Sequence, residues 1–149
     1  MVIQMLDILR VVIDTNLIVS AIMNGTGAPA KLIDWMTREE DYFRLLISQP
    51  IWDEYTTVAD WLIPDSKQLE KKRVLKTLRE QSDWIKPNFQ LSVCSDVSDN
   101  RFLECAVAGN ADYLVTKNIR HFPLKEYENI RIVRISQFLT VLEKTISLN

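Results

Sequence analysis

Four residues with oxygen-bearing side chains are spaced so that they could meet in the folded chain. Asp14 directly follows the β-formers of residues 11–13, Glu54 lies in a helical pattern, and Asp99 and Asn118 flank a later apolar strand. Carboxylate and amide oxygens are the ligands that Mg²⁺ and Mn²⁺ prefer. Two negative charges about 4 Å apart repel by roughly 4 kcal/mol at an effective dielectric near 20. Gathered acids therefore predict a divalent cation, with Asp96 as a fifth contributor.

Each of these residues also has a purely structural interpretation. Asp99 and Ser98 are both good helix N-caps, a role that would explain either residue. Glu54 fits a solvated helix position, and Asn118 fits a turn. Asp14 stands apart, because an acid that directly closes an apolar strand is less often incidental.

The elements that must position these residues follow from the hydrophobic pattern. Continuous apolar runs indicate buried strands over residues 9–14, 43–48, 111–116 and 130–135. Helical patterns occupy the segments between and after these strands. In chain order, they cover residues 16–23, begin at Pro29 and at Pro50, cover residues 66–82, run from Asp99 to Gly109-Asn110, and begin after Ser136 as an N-cap. Strands that alternate with helices predict an α/β fold, a parallel sheet covered on both faces. We expect one three-layer domain over residues 1–149, with about four to five strands. Ligands bind beyond the carboxyl ends of such strands, where Asp14 lies.

Composition narrows the class of protein. Of the 149 residues, 47% are hydrophobic and 26% are charged, and no apolar run approaches the roughly 20 residues that span a bilayer. The net charge of −2 argues against broad electrostatic adhesion to nucleic acid, although a local basic patch stays open. The first ten residues lack a basic region and a cleavage motif, so we expect no signal peptide.

The two cysteines, Cys94 and Cys105, match neither a CxxC motif nor a zinc pattern. Cys105 falls on a predicted apolar helix face. Buried thiols are therefore expected rather than a disulfide, and this predicts a reducing, cytoplasmic compartment.

Taken together, the motifs resemble the PIN-domain family, in particular its members that are toxins of bacterial and archaeal toxin–antitoxin pairs. The resemblance covers residues 10–142. It is most specific in VVIDTNLIVSA, residues 11–21, and in DNRFLECAVAGNADYLVT, residues 99–116. It implies a PIN-like fold and a ribonuclease that uses Mg²⁺ or Mn²⁺ to hydrolyse RNA phosphodiester bonds. It also implies an antitoxin partner and a homodimer. The lack of a long apolar run separately predicts no membrane association.

The resemblance also assigns roles to individual residues. The three acids of the family fall on Asp14, Glu54 and Asp99, which would be both catalytic and metal-binding, Glu54 through a water molecule. Polar residues that orient ligands in the family fall on Thr15, Asn16 and Thr116. Near this predicted site, Arg101, Lys117, Arg120 and His121 are candidate phosphate contacts, with a turn as the other interpretation of His121.

One position departs from the family pattern. The family usually has a threonine–glycine–aspartate turn where this chain has Thr116-Lys117-Asn118. Asn118 offers a neutral oxygen and would be a weak or indirect metal contact, a loss for which Asp96 could compensate. The alternative function is therefore an attenuated PIN-like module that acts in RNA binding or protein interaction.

A more remote alternative is a phosphoacceptor domain, because response-regulator receivers also end strands with aspartate and use a threonine and a lysine. Receivers, however, pair two acids after the first strand, where this chain has Thr15-Asn16. Haloacid-dehalogenase-like phosphatases need a second aspartate at the position of Asn16.

Overall fold

A computed structural model describes residues 8–38 and 42–147 of the chain. Six strands form its sheet, namely β1 (Leu9–Ile13), β2 (Phe43–Ile47), β3 (Asp83–Trp84), β4 (Tyr113–Val115), β5 (Glu126–Tyr127) and β6 (Ile130–Val133). Six helices flank the sheet, namely α1 (Thr15–Met23), α2 (Ala28–Trp35), α3 (Gln49–Leu62), α4 (Gln68–Gln81), α5 (Val97–Ala108) and α6 (Ile135–Ser147). The predicted three-layer α/β architecture is confirmed.

The strand order across the sheet is β3-β2-β1-β4-β6-β5. All neighbouring strands pair in parallel except β5, which runs antiparallel to β6. The register sets Ile13, the last residue of β1, opposite Val115, the last residue of β4. These two central strands therefore end side by side at the carboxyl edge of the sheet.

The number of strands, six, exceeds the four to five expected from the sequence. The two extra strands, β3 and β5, contain two residues each. A segment of two residues carries no hydrophobic periodicity, so pairing with a neighbouring strand defines it rather than its own sequence. The longer strands are buried because helices cover both sides: Val11, Val12, Leu45 and Leu114 are completely inaccessible to solvent.

Two predicted helix starts were wrong. Helix α5 begins at Val97 with Asp96 as its N-cap, so Ser98 and Asp99 lie inside its first turn. Helix α6 begins at Ile135, which puts the predicted cap Ser136 inside the helix. The side chain of Gln137 instead reaches back, its Oε1 accepting a hydrogen bond of 2.9 Å from the backbone N–H of Arg134. At α5 the error arose because three candidate caps, Asp96, Ser98 and Asp99, stand close together in the sequence. At α6 the helix begins one residue before Ser136, the residue of cap type in this segment.

Both cysteines are free and buried, as predicted. Within the described residues, no helix is long and apolar enough to cross a bilayer. The signal-peptide expectation depends mainly on residues 1–7, which lie outside the described residues.

Candidate active site

A small cavity of about 240 Å³ opens where β1 and β4 end. Every residue that lines it except Val58 has a polar or charged side chain. The residues that line it are Asp14, Thr15, Asn16, Glu54, Val58, Asp96, Ser98, Asp99, Asn118 and His121. The four acids and the asparagine singled out in the sequence therefore lie around one space. They come from four places in the fold: the end of β1, α3, the start of α5 and the turn after β4.

Asp14 is the most firmly oriented of these acids. It is only 7% exposed and follows β1 directly, as the N-cap of α1. Its Oδ1 accepts a hydrogen bond of 2.7 Å from the backbone N–H of Thr15, and its Oδ2 accepts one of 2.6 Å from Thr116 Oγ1. Its own N–H donates to the carbonyl of Val115, at 2.9 Å. These contacts fix the carboxylate at the end of the sheet, in one orientation.

Glu54 approaches from α3, where the sequence predicted it. Its Oε2 accepts a hydrogen bond from the hydroxyl of Thr15. The next residue, Tyr55, is fully buried and donates its hydroxyl to the carbonyl of Ile13, the last residue of β1. Burial, reinforced by the nearby carboxylates of Asp14 and Glu54, raises the pKa of Tyr55 well above its usual value, so the hydroxyl remains a donor. Tyr55 therefore fastens α3 to the strand that carries Asp14.

Asp99 lies in the first turn of α5 and is 6% exposed. Burial, followed by the negative charge of Asp96, raises its pKa to about 6, while His121 opposes this shift. Its Oδ2 is buried and accepts no hydrogen bond. The nearest cationic candidate is His121, whose Nδ1 lies 3.3 Å from that oxygen. Asp99 thus carries charge that its protein surroundings leave largely uncompensated.

Asp96 has a different environment, although it lines the same cavity. Its Oδ1 accepts hydrogen bonds from the backbone N–H of Ser98, at 2.9 Å, and from the Ser98 hydroxyl, at 2.8 Å. These bonds, with the side-chain hydroxyl contributing most, hold the pKa of Asp96 below its usual value. Asp96 is therefore ionised and serves as a helix cap at the same time.

The turn after β4 presents Asn118 to the cavity and directs Lys117 elsewhere. The hydroxyl of Thr116 accepts a hydrogen bond of 2.9 Å from the backbone N–H of Asn118, which shapes this turn. Lys117 Nζ donates to Ser20 Oγ on α1, at 2.8 Å. It does not line the cavity.

Arg101, a predicted substrate contact, faces a second cavity. Its Nη1 lies 2.6 Å from Glu104 Oε1, an ion pair between residues three apart on α5. Both residues line this larger space of about 1100 Å³, which opens between the start of α3 and the segment after β3. The structure therefore does not bring Arg101 to the acidic cavity.

The acidic cavity suits a divalent cation in its chemistry. Asp14, Glu54 and Asp99 supply oxygen donors, and the buried Oδ2 of Asp99 has no hydrogen-bond donor. In the described part of the chain, no three acids, histidines or cysteines are grouped closely enough to enclose an ion unaided. Mg²⁺ commonly binds to one or two carboxylates and keeps several waters, so an open arrangement of this kind fits it.

Sequence reasoning did not identify three residues of this site. Val58 lines the cavity one helical turn after Glu54, Ser98 holds Asp96, and Tyr55 joins α3 to β1. Val58 could have been found, because residues four apart on a helix share a face. The hydroxyl of Tyr55 gave no such signal, since its acceptor lies 42 residues away in the chain.

Comparison with known proteins agrees with the predicted family and fold. Residues 10–120 match the family model described as PIN domain. An uncharacterized protein of Methanocaldococcus jannaschii is 27% identical over 150 residues, covering 93% of this chain and 95% of that protein. The chain also resembles the crystal structure of VapBC2 from Rickettsia felis bound to a DNA fragment from their promoter. The TM-score is 0.55 at 17% identity, over 83% of this chain and 97% of that chain.

Proposed function

The chain belongs to the PIN-domain family, and from that premise we propose that it is a divalent-metal-dependent endoribonuclease, the toxin of a toxin–antitoxin pair. PIN domains are in general nucleases that use divalent metal ions. The observation that carries the proposal is that Asp14, Glu54 and Asp99 line one cavity at the carboxyl edge of the sheet. The family match favours a nuclease over the phosphoacceptor alternative.

The proposed roles follow from the way each acid is held. Asp14 and Asp99 would bind Mg²⁺ or Mn²⁺ directly, and Glu54 would act through a water molecule or orient the attacking water. When bound, such an ion polarises the scissile phosphate and lowers the pKa of a coordinated water. Thr15 and Thr116 keep Asp14 in one orientation through their hydrogen bonds. Preorganisation of this kind removes the cost of ordering the carboxylate during the reaction.

His121 is suited to a contact with the RNA rather than to catalysis. Its side chain is 51% exposed, and its Nδ1 lies 3.3 Å from Asp99 Oδ2. A cation bound by Asp99 would repel a protonated imidazole, which could then turn toward a phosphate oxygen. Arg120, its neighbour, is exposed on the same turn and could make a second phosphate contact.

A second candidate function is that of a PIN-domain module that does not cleave RNA. Asn118 replaces the fourth acid, and no three metal-binding side chains of the described chain are closely grouped. Loss of one negative charge weakens attraction for a cation, by several kcal/mol at most. An attenuated module of this kind would bind RNA or a protein without cleaving RNA.

Cleavage of a labelled single-stranded RNA by the purified protein separates the two functions. The assay is run in EDTA, Mg²⁺ and Mn²⁺, with Asp14→Asn in parallel to exclude contaminating ribonuclease. Asp65→Asn, at an exposed position in the 3₁₀ turn before α4, is the matched control. We expect metal-dependent cleavage by wild type and Asp65→Asn, and loss of it in Asp14→Asn. Cleavage by Asp14→Asn at the wild-type rate would overturn the assignment.

We also propose an antitoxin partner, because the fold of this chain resembles that of VapBC2 from Rickettsia felis. An antitoxin would shield the acidic cavity. A short reading frame next to the gene, and a stable complex on co-expression, are the expected results. Sedimentation of the chain alone tests the proposed homodimer.

A cytoplasmic location is proposed from the chemistry of the thiols. Burial raises the pKa of Cys94 to about 11 and that of Cys105 to about 12, so both stay protonated and unreactive. Two unpaired cysteines are typical of a reducing compartment. Cell fractionation with an epitope-tagged chain tests this.

A further inference from the structure

The larger cavity, of about 1100 Å³, adjoins the acidic cavity along two helices. On α3, Pro50 lines the larger cavity, whereas Glu54 and Val58, at positions i+4 and i+8 from it, line the acidic one. Residues four apart lie on one face of a helix, about 6 Å apart along its axis. On α5, Ser98 lines the acidic cavity, and Arg101, at position i+3 from it, lines the larger one. The two cavities therefore open side by side along the same two helices.

The two cavities differ in charge. Four acids line the acidic cavity, together with His121. The charged residues that line the larger cavity are Lys86, Arg101 and Glu104, so two cations face one carboxylate and leave one net positive charge. The first space therefore attracts a cation and the second an anion. This arrangement suits a chain of phosphates, because a metal ion can neutralise one phosphate while basic side chains neutralise its neighbour.

Arg101 is held so that most of its guanidinium donors stay available. Its Nη1 lies 2.6 Å from both Oε1 and Oε2 of Glu104, whose side chain is only 5% exposed. Glu104 Oε2 also accepts a hydrogen bond of 2.8 Å from the backbone N–H of Leu91. A guanidinium has five N–H donors in a rigid fork that matches phosphate oxygens. Within the described part of the chain, Nε and Nη2 of Arg101 have no acceptor, so Glu104 fixes the fork and leaves these donors for an anion.

Two aromatic rings complete the larger cavity. Trp84 is 40% exposed and Phe89 is half-buried, and both line this space. The ring of Trp84 is held in place, because it packs edge-on against Trp52, at 5.9 Å between centroids, and its Nε1 donates to the carbonyl of Arg79, at 3.1 Å. Phe89 lies outside the hydrophobic core of the described residues, so packing with the core does not account for its position. Rings beside basic side chains are the contacts that bind single-stranded nucleic acid, whose bases stack and whose phosphates pair.

We propose that the larger cavity is a nucleotide-binding subsite, which holds an RNA nucleotide adjoining the phosphate that lies in the acidic cavity. Arg101 and Lys86 contact the phosphate of this nucleotide, and its base lies against Trp84 and Phe89. This role rests on the proposed ribonuclease function and deepens it, because it says how the substrate is held. Since both cavities open along α3 and α5, one strand of RNA can occupy the two together.

The first test measures binding without cleavage. Fluorescence anisotropy of a labelled single-stranded RNA hexamer is recorded with the Asp14→Asn protein in Mg²⁺, alone and combined with Lys86→Gln, Arg101→Lys or Phe89→Ala. Arg101→Lys keeps a cationic partner for Glu104 but loses the fork, so it separates the phosphate contact from the ion pair. The controls are Lys125→Gln and Leu124→Ala, at exposed positions just before β5, the strand at the opposite end of the sheet from β3.

Each contact has its own expected result. Phe89→Ala should weaken binding by roughly 5- to 100-fold, and each cation variant by roughly 3- to 30-fold, with both controls unchanged. Lys86→Gln should also lower the slope of log affinity against log salt by about 0.7, the value for one phosphate contact of a single strand. Phe89→Ala should leave that slope unchanged, because stacking is not ionic. Equal binding by all three variants and their parent overturns the proposal, and so does the absence of any RNA binding.

The second test identifies the occupant. A free nucleotide, AMP, should compete with the labelled hexamer at least about tenfold more weakly than unlabelled hexamer does, because it fills the larger cavity alone. Equally strong competition by AMP would make a free nucleotide the ligand and overturn the assignment to RNA. If the three variants keep RNA binding but lose the complex with a co-expressed antitoxin, the cavity holds a protein segment and the proposal is wrong.

Cleavage is scored separately, on proteins with an intact Asp14. Metal-dependent cleavage by wild type, together with unchanged RNA affinity in the variants, would refute the subsite alone. RNA binding that depends on Lys86 and Phe89, without cleavage in any metal, would refute the ribonuclease function alone. Failure of the subsite and failure of the proposed function are thus distinguished.

Discussion

Thr116 Oγ1 donates a hydrogen bond of 2.6 Å to Asp14 Oδ2, joining residues that are 102 positions apart. The two side chains follow β4 and β1, which pair in parallel and end side by side. The same hydroxyl oxygen accepts a hydrogen bond from the backbone N–H of Asn118. One buried threonine thus fixes both the first acid and the turn that presents Asn118.

We expect Thr116→Val, which keeps the shape but removes the hydroxyl, to lower the free energy of unfolding by about 1–3 kcal/mol. It leaves Asp14 Oδ2 and the N–H of Asn118 without this partner. Urea denaturation measures the change, and Thr116→Ser should recover most of it. Thr140→Val is the control, because the hydroxyl of Thr140 bonds only its own helix at an exposed position. Equal stability of Thr116→Val and wild type would contradict the proposed anchoring role.

The stability of the fold should depend on pH through Asp99. Burial raises the pKa of Asp99 to about 6 from its usual value of 3.8, so the folded protein keeps a proton that the unfolded chain releases. That proton stabilises the fold at low pH, and we expect the stability to fall as the pH rises from about 4 to 6. The loss should be of order 1–3 kcal/mol. Urea denaturation across this range should show a flatter profile for Asp99→Asn.

Metal binding should reverse that loss. Above about pH 6 Asp99 is ionised, and a bound cation would compensate its charge. We therefore expect Mn²⁺ to raise the unfolding temperature of wild type more at pH 7.5 than at pH 5, and to have little effect on Asp99→Asn. Asp65→Asn should respond as wild type does. If Mn²⁺ raised the unfolding temperature equally at both pH values, Asp99 would not be a ligand of the metal.

The sequence predicted the acids of this site well, because strand ends and helix positions determine where they lie. Asp14 directly follows an apolar strand, Glu54 lies in a helix, and Asp99 lies near the start of another helix. Parallel strands bring their carboxyl ends to one edge of the sheet, where ligands bind. The structure places all three around one cavity.

The cations could not be predicted in the same way. Long side chains choose partners according to their tertiary surroundings: Arg101 pairs with Glu104, and Lys117 reaches Ser20 on α1. Arg101 and Lys117 stand close to the predicted site residues in the sequence, but their side chains extend to Glu104 and Ser20. The hydroxyl of Tyr55 was missed for a related reason, since nothing local indicates its acceptor, the carbonyl of Ile13.

Restoring the missing acid should strengthen metal binding. We expect Asn118→Asp to bind Mn²⁺ at least about tenfold more tightly, because the new carboxylate would line a cavity that already contains Asp14 and Asp99. Titration calorimetry measures the affinity. Asn88→Asp, which adds the same charge at the larger cavity, controls for net charge. If the two variants bind Mn²⁺ equally, Asn118 is not close enough to act on the ion.

Asn100 should control the position of Asp96. Asn100 is 4% exposed, and its Oδ1 accepts hydrogen bonds from the N–H groups of Val93 and Cys94, at 3.0 and 2.8 Å. Its Nδ2 donates to the carbonyl of Cys94, at 2.9 Å. The side chain of Asn100 therefore provides hydrogen-bond partners for the backbone of Val93 and Cys94. These residues have no regular secondary structure and lead directly to Asp96.

We expect Asn100→Ala to cost about 1–3 kcal/mol in the free energy of unfolding, because buried polar groups lose their partner. Hydrogen exchange at Val93 and Cys94 should become faster, while exchange in β1 should change only in step with global stability. Asn88→Ala, at an exposed position, is the control. Binding of Mn²⁺ should weaken as well if Asp96 helps to attract the ion. Unchanged exchange at Val93 and Cys94 would show that packing, and not Asn100, holds the segment in place.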